Sequence, residues 1–159
     1  MVQFSDEQDL KHGVTEDWLE KLVNQCLLYE NINYSCEVGV TFVEDETIRN
    51  LNREHRNIDR KTDVLSFPML SDVHNIEKTD IDPETGLVYL GDIVISVETA
   101  MQQADEFGHS LEREIAFLIV HSMMHLMGYD HIDEIDRKVM REHEEAVLDE
   151  LNIKRTEIN

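Results

Sequence analysis

Two cysteines in 159 residues cannot build a disulfide framework. Cys26 falls in a helical pattern and Cys36 opens a strand-like one, so the expectation is a pair of reduced, inert thiols in a cytoplasmic protein. Long apolar runs are also missing. The longest, 115–120, is six residues, far short of the roughly 20 a membrane helix needs. The opening segment MVQFSDEQDLKHG is polar and charged, so neither a transmembrane helix nor a signal peptide is expected. With no repeat, linker or low-complexity segment and 41% hydrophobic residues, 1–159 reads as a single soluble domain with a real core. Positive charge is scarcer still. Fourteen Lys and Arg against 35 Asp and Glu leave a net charge of −21, which repels polyanions at long range.

The few basic residues are not spread evenly. Arg49, Arg53, Arg56, Arg60 and Lys61 fall within thirteen positions, and the four arginines sit at i, i+4, i+7 and i+11. On a helix that spacing is one stripe. Ile48 and Leu51 supply an apolar side, and Asp45 or Thr47 would cap the start.

Chemistry concentrates in HSMMHLMGYDH, residues 121–131. Residues four apart on a helix are about 40° apart around the axis, so His121 and His125 project from one face. Gly128 lets the chain turn and bring His131 back toward them. Three imidazole nitrogens at roughly 2.0–2.1 Å suit zinc, one per chain, with a fourth position left open as in a catalytic site. Asp130, beside the last histidine, is a candidate to orient a ligand from behind. The spacing coincides with that of the metzincin proteases, but the glutamate that serves them as general base is absent. Ser122 stands in its place.

The other segments supply scaffold. Residues 15–29 read as a helix capped by Thr15, 38–42 as a half-buried strand, and 63–67 and 87–97 as interior strands. Residues 97–107 and 133–151 read as amphipathic helices, and 110–127 as a buried helix carrying the first two histidines. The polar stretch 71–86 reads as a mobile loop over the cleft. The sum is an α+β (mixed α/β) domain, a small mixed sheet with surrounding helices and a central buried zinc-ligand helix. His109 is expected to cap or pack. His12, His55, His74 and His143 lack ligand spacing and are expected at the surface.

Four segments in order resemble the YbeY family of bacterial endoribonucleases. His121, His125, Leu126, Gly128, Tyr129, Asp130 and His131 fit its zinc motif. Leu51, Asn52, Arg56, Asp59 and the run TDVLSFP at 62–68 fit a second; Gly91 to Ser96 and Gly108 to Ser110 are similar to two more. The likeness covers about residues 36–131. Ser122, Met124, His55 and Lys61 depart from the usual glycine, leucine, tyrosine and proline, and none of these removes a metal ligand. The resemblance implies a zincin-like fold and a zinc-dependent single-strand endoribonuclease maturing ribosomal RNA at the 16S 3′ end, with a role in ribosome quality control. Its partners would be ribosomal RNA precursor, the small ribosomal subunit and assembly proteins, with no DNA and no membrane. It places Arg56 near the metal as a catalytic phosphate contact, a task suited to a guanidinium fork. It makes Asp63 and Asp92 candidates for the shell behind the ligands, and Arg49, Arg53 and Arg60 candidates for RNA contact. Two other readings stand beside it: a zinc metallopeptidase, and a ribosome-assembly factor with structural zinc that breaks no bond.

Overall fold

The computed structural model describes residues 1–10, 12–129 and 134–153. Within them the order is β1 (Val2–Ser5), α1 (Glu16–Tyr29), β2 (Cys36–Val43), α2 (Asp45–Arg56), β3 (Val64–Pro68), β4 (Val88–Ser96), α3 (Val97–Phe107), α4 (Leu111–Leu126) and α5 (Glu134–Glu150), with a short 3₁₀ turn at Lys78–Asp80. The sheet runs β1-β2-β4-β3. The first three of these strands are parallel, and β3 closes one edge antiparallel to β4. The mixed sheet with helices around it is the α+β architecture the sequence implies.

Alternation along the strands divides the core in two. Val38, Val40, Phe42, Ile93 and Ile95 join the large cluster formed with α1 and α4, whereas Val43, Leu65 and Val94 pack with Ile48 of α2 in a small one. Burying each such apolar side chain contributes on the order of 1.5–3 kcal/mol. α4 is packed by the sheet and by α1, α3 and α5. Only Arg113, Phe117, His121 and His125, one row at i+4 spacing, interrupt its burial between residues 113 and 126. Gly91 makes the close approach possible: its φ is +144°, and a Cβ there would press on the Phe67 carbonyl and the Leu126 side chain.

Several expectations are corrected. β1 escaped the sequence pattern, being four residues long and flanked by polar chain. α2 ends at Arg56, where Asn57 adopts a left-handed cap with φ 59°. Arg60 therefore leaves the predicted stripe, and its carbonyl instead accepts from the Asn52 side chain at 2.9 Å. Glu44, not Asp45 or Thr47, is the α2 N-cap. Asp45 anchors the helix differently, accepting from Ser96 Oγ at 2.6 Å, Thr99 Oγ1 at 2.5 Å and Lys61 Nζ at 3.1 Å. Burial pushes its carboxyl upward, but these donors outweigh it and hold it below the usual range. The 71–86 segment does not line the cleft. Val73 is buried, its carbonyl takes the Tyr34 hydroxyl at 2.5 Å, and Glu77 and Asp80 cap the 3₁₀ turn reciprocally. His12 is also not at the surface. It is wedged edge-on against Phe4 and Phe42 and bonded to Asp6 at 2.9 Å.

Candidate metal and substrate cleft

Histidines 121 and 125 share the half-exposed row of α4 near its C-terminus, and their Nε2 atoms lie 3.2 Å apart. Behind them each Nδ1 meets an acceptor. His121 Nδ1 is 2.6 Å from Glu144 Oε1 on α5, and His125 Nδ1 is 3.1 Å from the Tyr129 carbonyl. A carboxylate and a carbonyl only accept, so these contacts place each ring proton on Nδ1. The two Nε2 lone pairs then converge, and neither neutral ring has a proton to give the other. Converging imidazole lone pairs suit a cation, and outer-sphere acceptors of this kind are what orient histidine ligands to a metal. The pair therefore fits zinc on the chemistry of its donors. Among the described residues no group of three or more His, Cys, Asp or Glu forms a metal cluster. The predicted third ligand His131 and its neighbour Asp130 lie outside those residues.

The turn that carries the Tyr129 carbonyl is itself fixed. Tyr129 donates its hydroxyl to Glu30 Oε2 at 2.9 Å, and Glu30 Oε1 lies 2.7 Å from His143 Nδ1. The His143 ring packs on both Tyr29 and Tyr129, so it too is not the surface histidine expected from the sequence. Burial, then the bond to Glu30, raises the Tyr129 hydroxyl well above the tyrosine range and keeps it a donor. Glu30, His143 and Glu144 are the site residues that sequence reasoning missed. The first two lie 113 positions apart, and no local spacing signals such a pair.

Around the histidines is an open cleft of about 660 Å³ lined by, among others, Arg56, Asp63, Ser66, His121, His125 and Tyr129. Arg56, in the last turn of α2, crosses the sheet edge to donate from Nη2 to the Ser66 carbonyl at 3.1 Å. One guanidinium donor is thereby spent on orientation, and the others remain for a ligand. Asp63 precedes β3. Its Oδ1 accepts from the Val64 amide at 2.8 Å and from Thr62 at 3.3 Å. Its Oδ2 lies 3.3 Å from the Gln103 amide nitrogen, in the amide orientation that also bonds Glu114.

The other predicted residues are not gathered here. Asp92 bonds the Tyr89 hydroxyl and lies against Gly39, outside the cleft lining. Along β4 it alternates with Ile93 and shares the face of Val94, on the α2 side of the sheet, so it stands away from His121 and His125. Arg49 forms a two-pronged ion pair with Asp59 at 2.9 and 3.4 Å, and Arg53 bonds Asn50 at 3.0 Å. Ser122 is fully buried in the core side of α4 and does not line the cleft. His109, expected to cap or pack, is bonded to buried Glu114 at 2.5 Å. His55 lies edge-on to Phe67, and His74 is exposed. Both cysteines are free and buried. Burial pushes the Cys36 thiol up to about 11 and Cys26 higher still, as inert thiols require. Among the described residues, no helix is long and apolar enough to cross a membrane.

Comparison with known proteins agrees with this fold. A family model described as endoribonuclease YbeY matches residues 1–152. The chain is 48% identical to endoribonuclease YbeY of Clostridium kluyveri over 158 residues, covering 91% of this chain and 96% of that one. It is 48% identical to the Clostridioides difficile protein of the same name over 153 residues, covering 94% and 95%. The solution structure of TM1509 from Thermotoga maritima superposes with a TM-score of 0.58 at 25% identity, covering 96% of this chain and 92% of that one. A match that runs from residue 1 to residue 152 is a match to the whole fold, and the chain belongs to the endoribonuclease YbeY family.

Proposed function

We propose that this protein hydrolyses internal phosphodiester bonds in single-stranded segments of ribosomal RNA precursors, using zinc held by His121, His125 and His131. The observation that carries the reading is the convergence of two histidine Nε2 atoms and the Arg56 guanidinium on one cleft. When bound there, zinc supplies Lewis acidity toward the scissile phosphate and makes water a better nucleophile near neutral pH. Arg56, tethered to Ser66, meets the phosphate oxygens and offsets the charge that grows on them. Glu144 and the Tyr129 carbonyl hold the two imidazoles in the orientation that presents Nε2. Asp130, next to His131, would support that third ligand in the same way. Asp63, fixed in the cleft wall by the Val64 amide, would support the ligands from behind. Arg53 and Arg60, exposed near the mouth of α2, would add salt-dependent attraction for the strand, while Arg49 is already committed to Asp59.

In the cell the substrate would be the 16S 3′ region presented on small ribosomal subunits, in the cytoplasm, during maturation and ribosome quality control. The test is incubation of the zinc-loaded protein with precursor RNA, with and without small subunits, beside a chelated control. Internal cleavage that disappears with chelator is expected. Intact RNA together with chelator-sensitive cleavage of casein would overturn the reading in favour of a peptidase.

A further inference from the structure

The half-exposed row of α4 does not end at the histidines. Toward the N-terminus it continues through Phe117 to Arg113, twelve residues or about 18 Å from His125 to Arg113. Beyond His121 the row enters a second cavity, of about 730 Å³, between α4 and α5. His121 lines both spaces, so they meet at a predicted metal ligand. The volume lies within the roughly 300–1,000 Å³ typical of sites that hold small organic groups.

Its walls have two properties unusual for this chain. First, they gather Arg113, Arg137 and Arg141, three of the fourteen basic residues, on a protein of net charge −21. Of the four acids in the wall, Glu114 and Glu144 are buried and bonded to His109 and His121, and Glu145 and Asp149 are exposed, so the three arginines bring the local charge near neutrality. Second, they carry aromatic faces. Phe117 stacks on His121 at 6.1 Å and 20°, while Phe107, 52% exposed, stacks on His109 at 6.1 Å and 29°. An exposed phenylalanine costs solubility and gains nothing in the core. Aromatic platforms interleaved with arginines are the chemistry that binds single-stranded nucleic acid, with bases on the rings and phosphates on the guanidinium groups.

We propose that the α4–α5 cavity is a subsite for the single-stranded RNA next to the scissile phosphate, with a base stacked on Phe107 and Phe117 and the backbone met by Arg137 and Arg141. This rests on the reading of the cleft as an RNA-hydrolysing site. It extends the strand from Arg56 across His121 and along the α4 row into the cavity.

The test is binding, measured apart from cleavage. Fluorescence anisotropy would follow a labelled ten-nucleotide single strand on the full chain at two salt concentrations, with gel electrophoresis showing that the strand stays intact during the measurement. Phe107→Ala is expected to weaken binding about tenfold, with Phe107→Tyr restoring it. Arg141→Glu should weaken it further and flatten the salt dependence. Both residues are exposed, so melting curves should match wild type. Wild-type affinity in Phe107→Ala, Arg141→Glu and the double variant would overturn the subsite, as would absence of RNA binding by wild type. If Phe107→Ala lowers affinity while wild type cleaves no unmodified RNA, the subsite stands and the hydrolase reading fails. If wild type cleaves and the cavity variants bind normally, the reverse holds.

Discussion

Among the described residues four histidine–carboxylate pairs are built into this fold, and they do not use the imidazole in the same way. His12 and His109 turn Nε2 into their carboxylates, Asp6 and Glu114. Each far nitrogen is thereby consumed, and the pair staples one local segment to another. His121 turns Nδ1 to Glu144 and sends Nε2 out to meet His125. His143 also uses Nδ1, toward Glu30, but its partner shell is two tyrosine rings and it serves the Tyr129 turn. The pairs are chemically alike; what sets His121 apart is that its Nδ1 contact leaves Nε2 turned toward a second histidine. An acceptor at Nδ1 fixes the tautomer that leaves Nε2 able to bind a cation, whereas an acceptor at Nε2 closes that option.

The sharpest break of this comparison is metal removal. Chelation should reduce RNA cleavage to background while the far-UV circular dichroism spectrum stays that of a folded protein, because apolar burial around α4 and the sheet holds the core. The melting temperature should fall, since a cation bound only by the folded state stabilises it. A random-coil spectrum after chelation would show that the site is structural.

Arg56 gives the next largest effect. Arg56→Ala should leave zinc content and melting temperature near wild type and lower the cleavage rate by roughly 10²–10³. Arg56→Lys should recover only part, since an ammonium lacks the two-pronged fork. Arg49→Ala, which breaks an exposed pair with Asp59, should change neither measurably at moderate salt. Equal losses in the two alanine variants would erase the distinction between them.

A smaller effect isolates the choice of nitrogen. Glu144→Gln should weaken zinc affinity by about 10- to 100-fold through its effect on His121. Glu114→Gln, at an equally buried acid paired with His109, should destabilise the fold without changing zinc affinity. Competition titration with a chromophoric chelator reads both, and a shift in the second variant would contradict the division into staples and ligands.

Much of this was legible in the sequence, for local reasons. His121 and His125 follow from four-residue spacing on a helix, and the burial of α4 from apolar residues nearly all round it. Strands β2, β3 and β4 show their alternation or apolar runs. The arginine stripe was half right. Periodicity placed Arg49, Arg53 and Arg56 on one helix, but it carried the helix past Asn57, where a left-handed residue ends it. What could not be read were the long-range partners. Glu144 sits on a charged, otherwise surface-like helix 23 residues from His121, and Glu30 pairs with a histidine 113 positions away. Only packing of α1 and α5 against α4 brings them in. The face that Asp92 takes could not be read for a related reason: strand position gives a face only once neighbouring strands fix which face is which.

The most direct test of the account is metal stoichiometry by elemental mass spectrometry on purified protein, for wild type, His121→Ala/His125→Ala and His12→Ala/His109→Ala. Wild type should hold about one zinc per chain, the first variant none, and whatever fraction of the second remains folded the wild-type content. Unchanged zinc in His121→Ala/His125→Ala would contradict it.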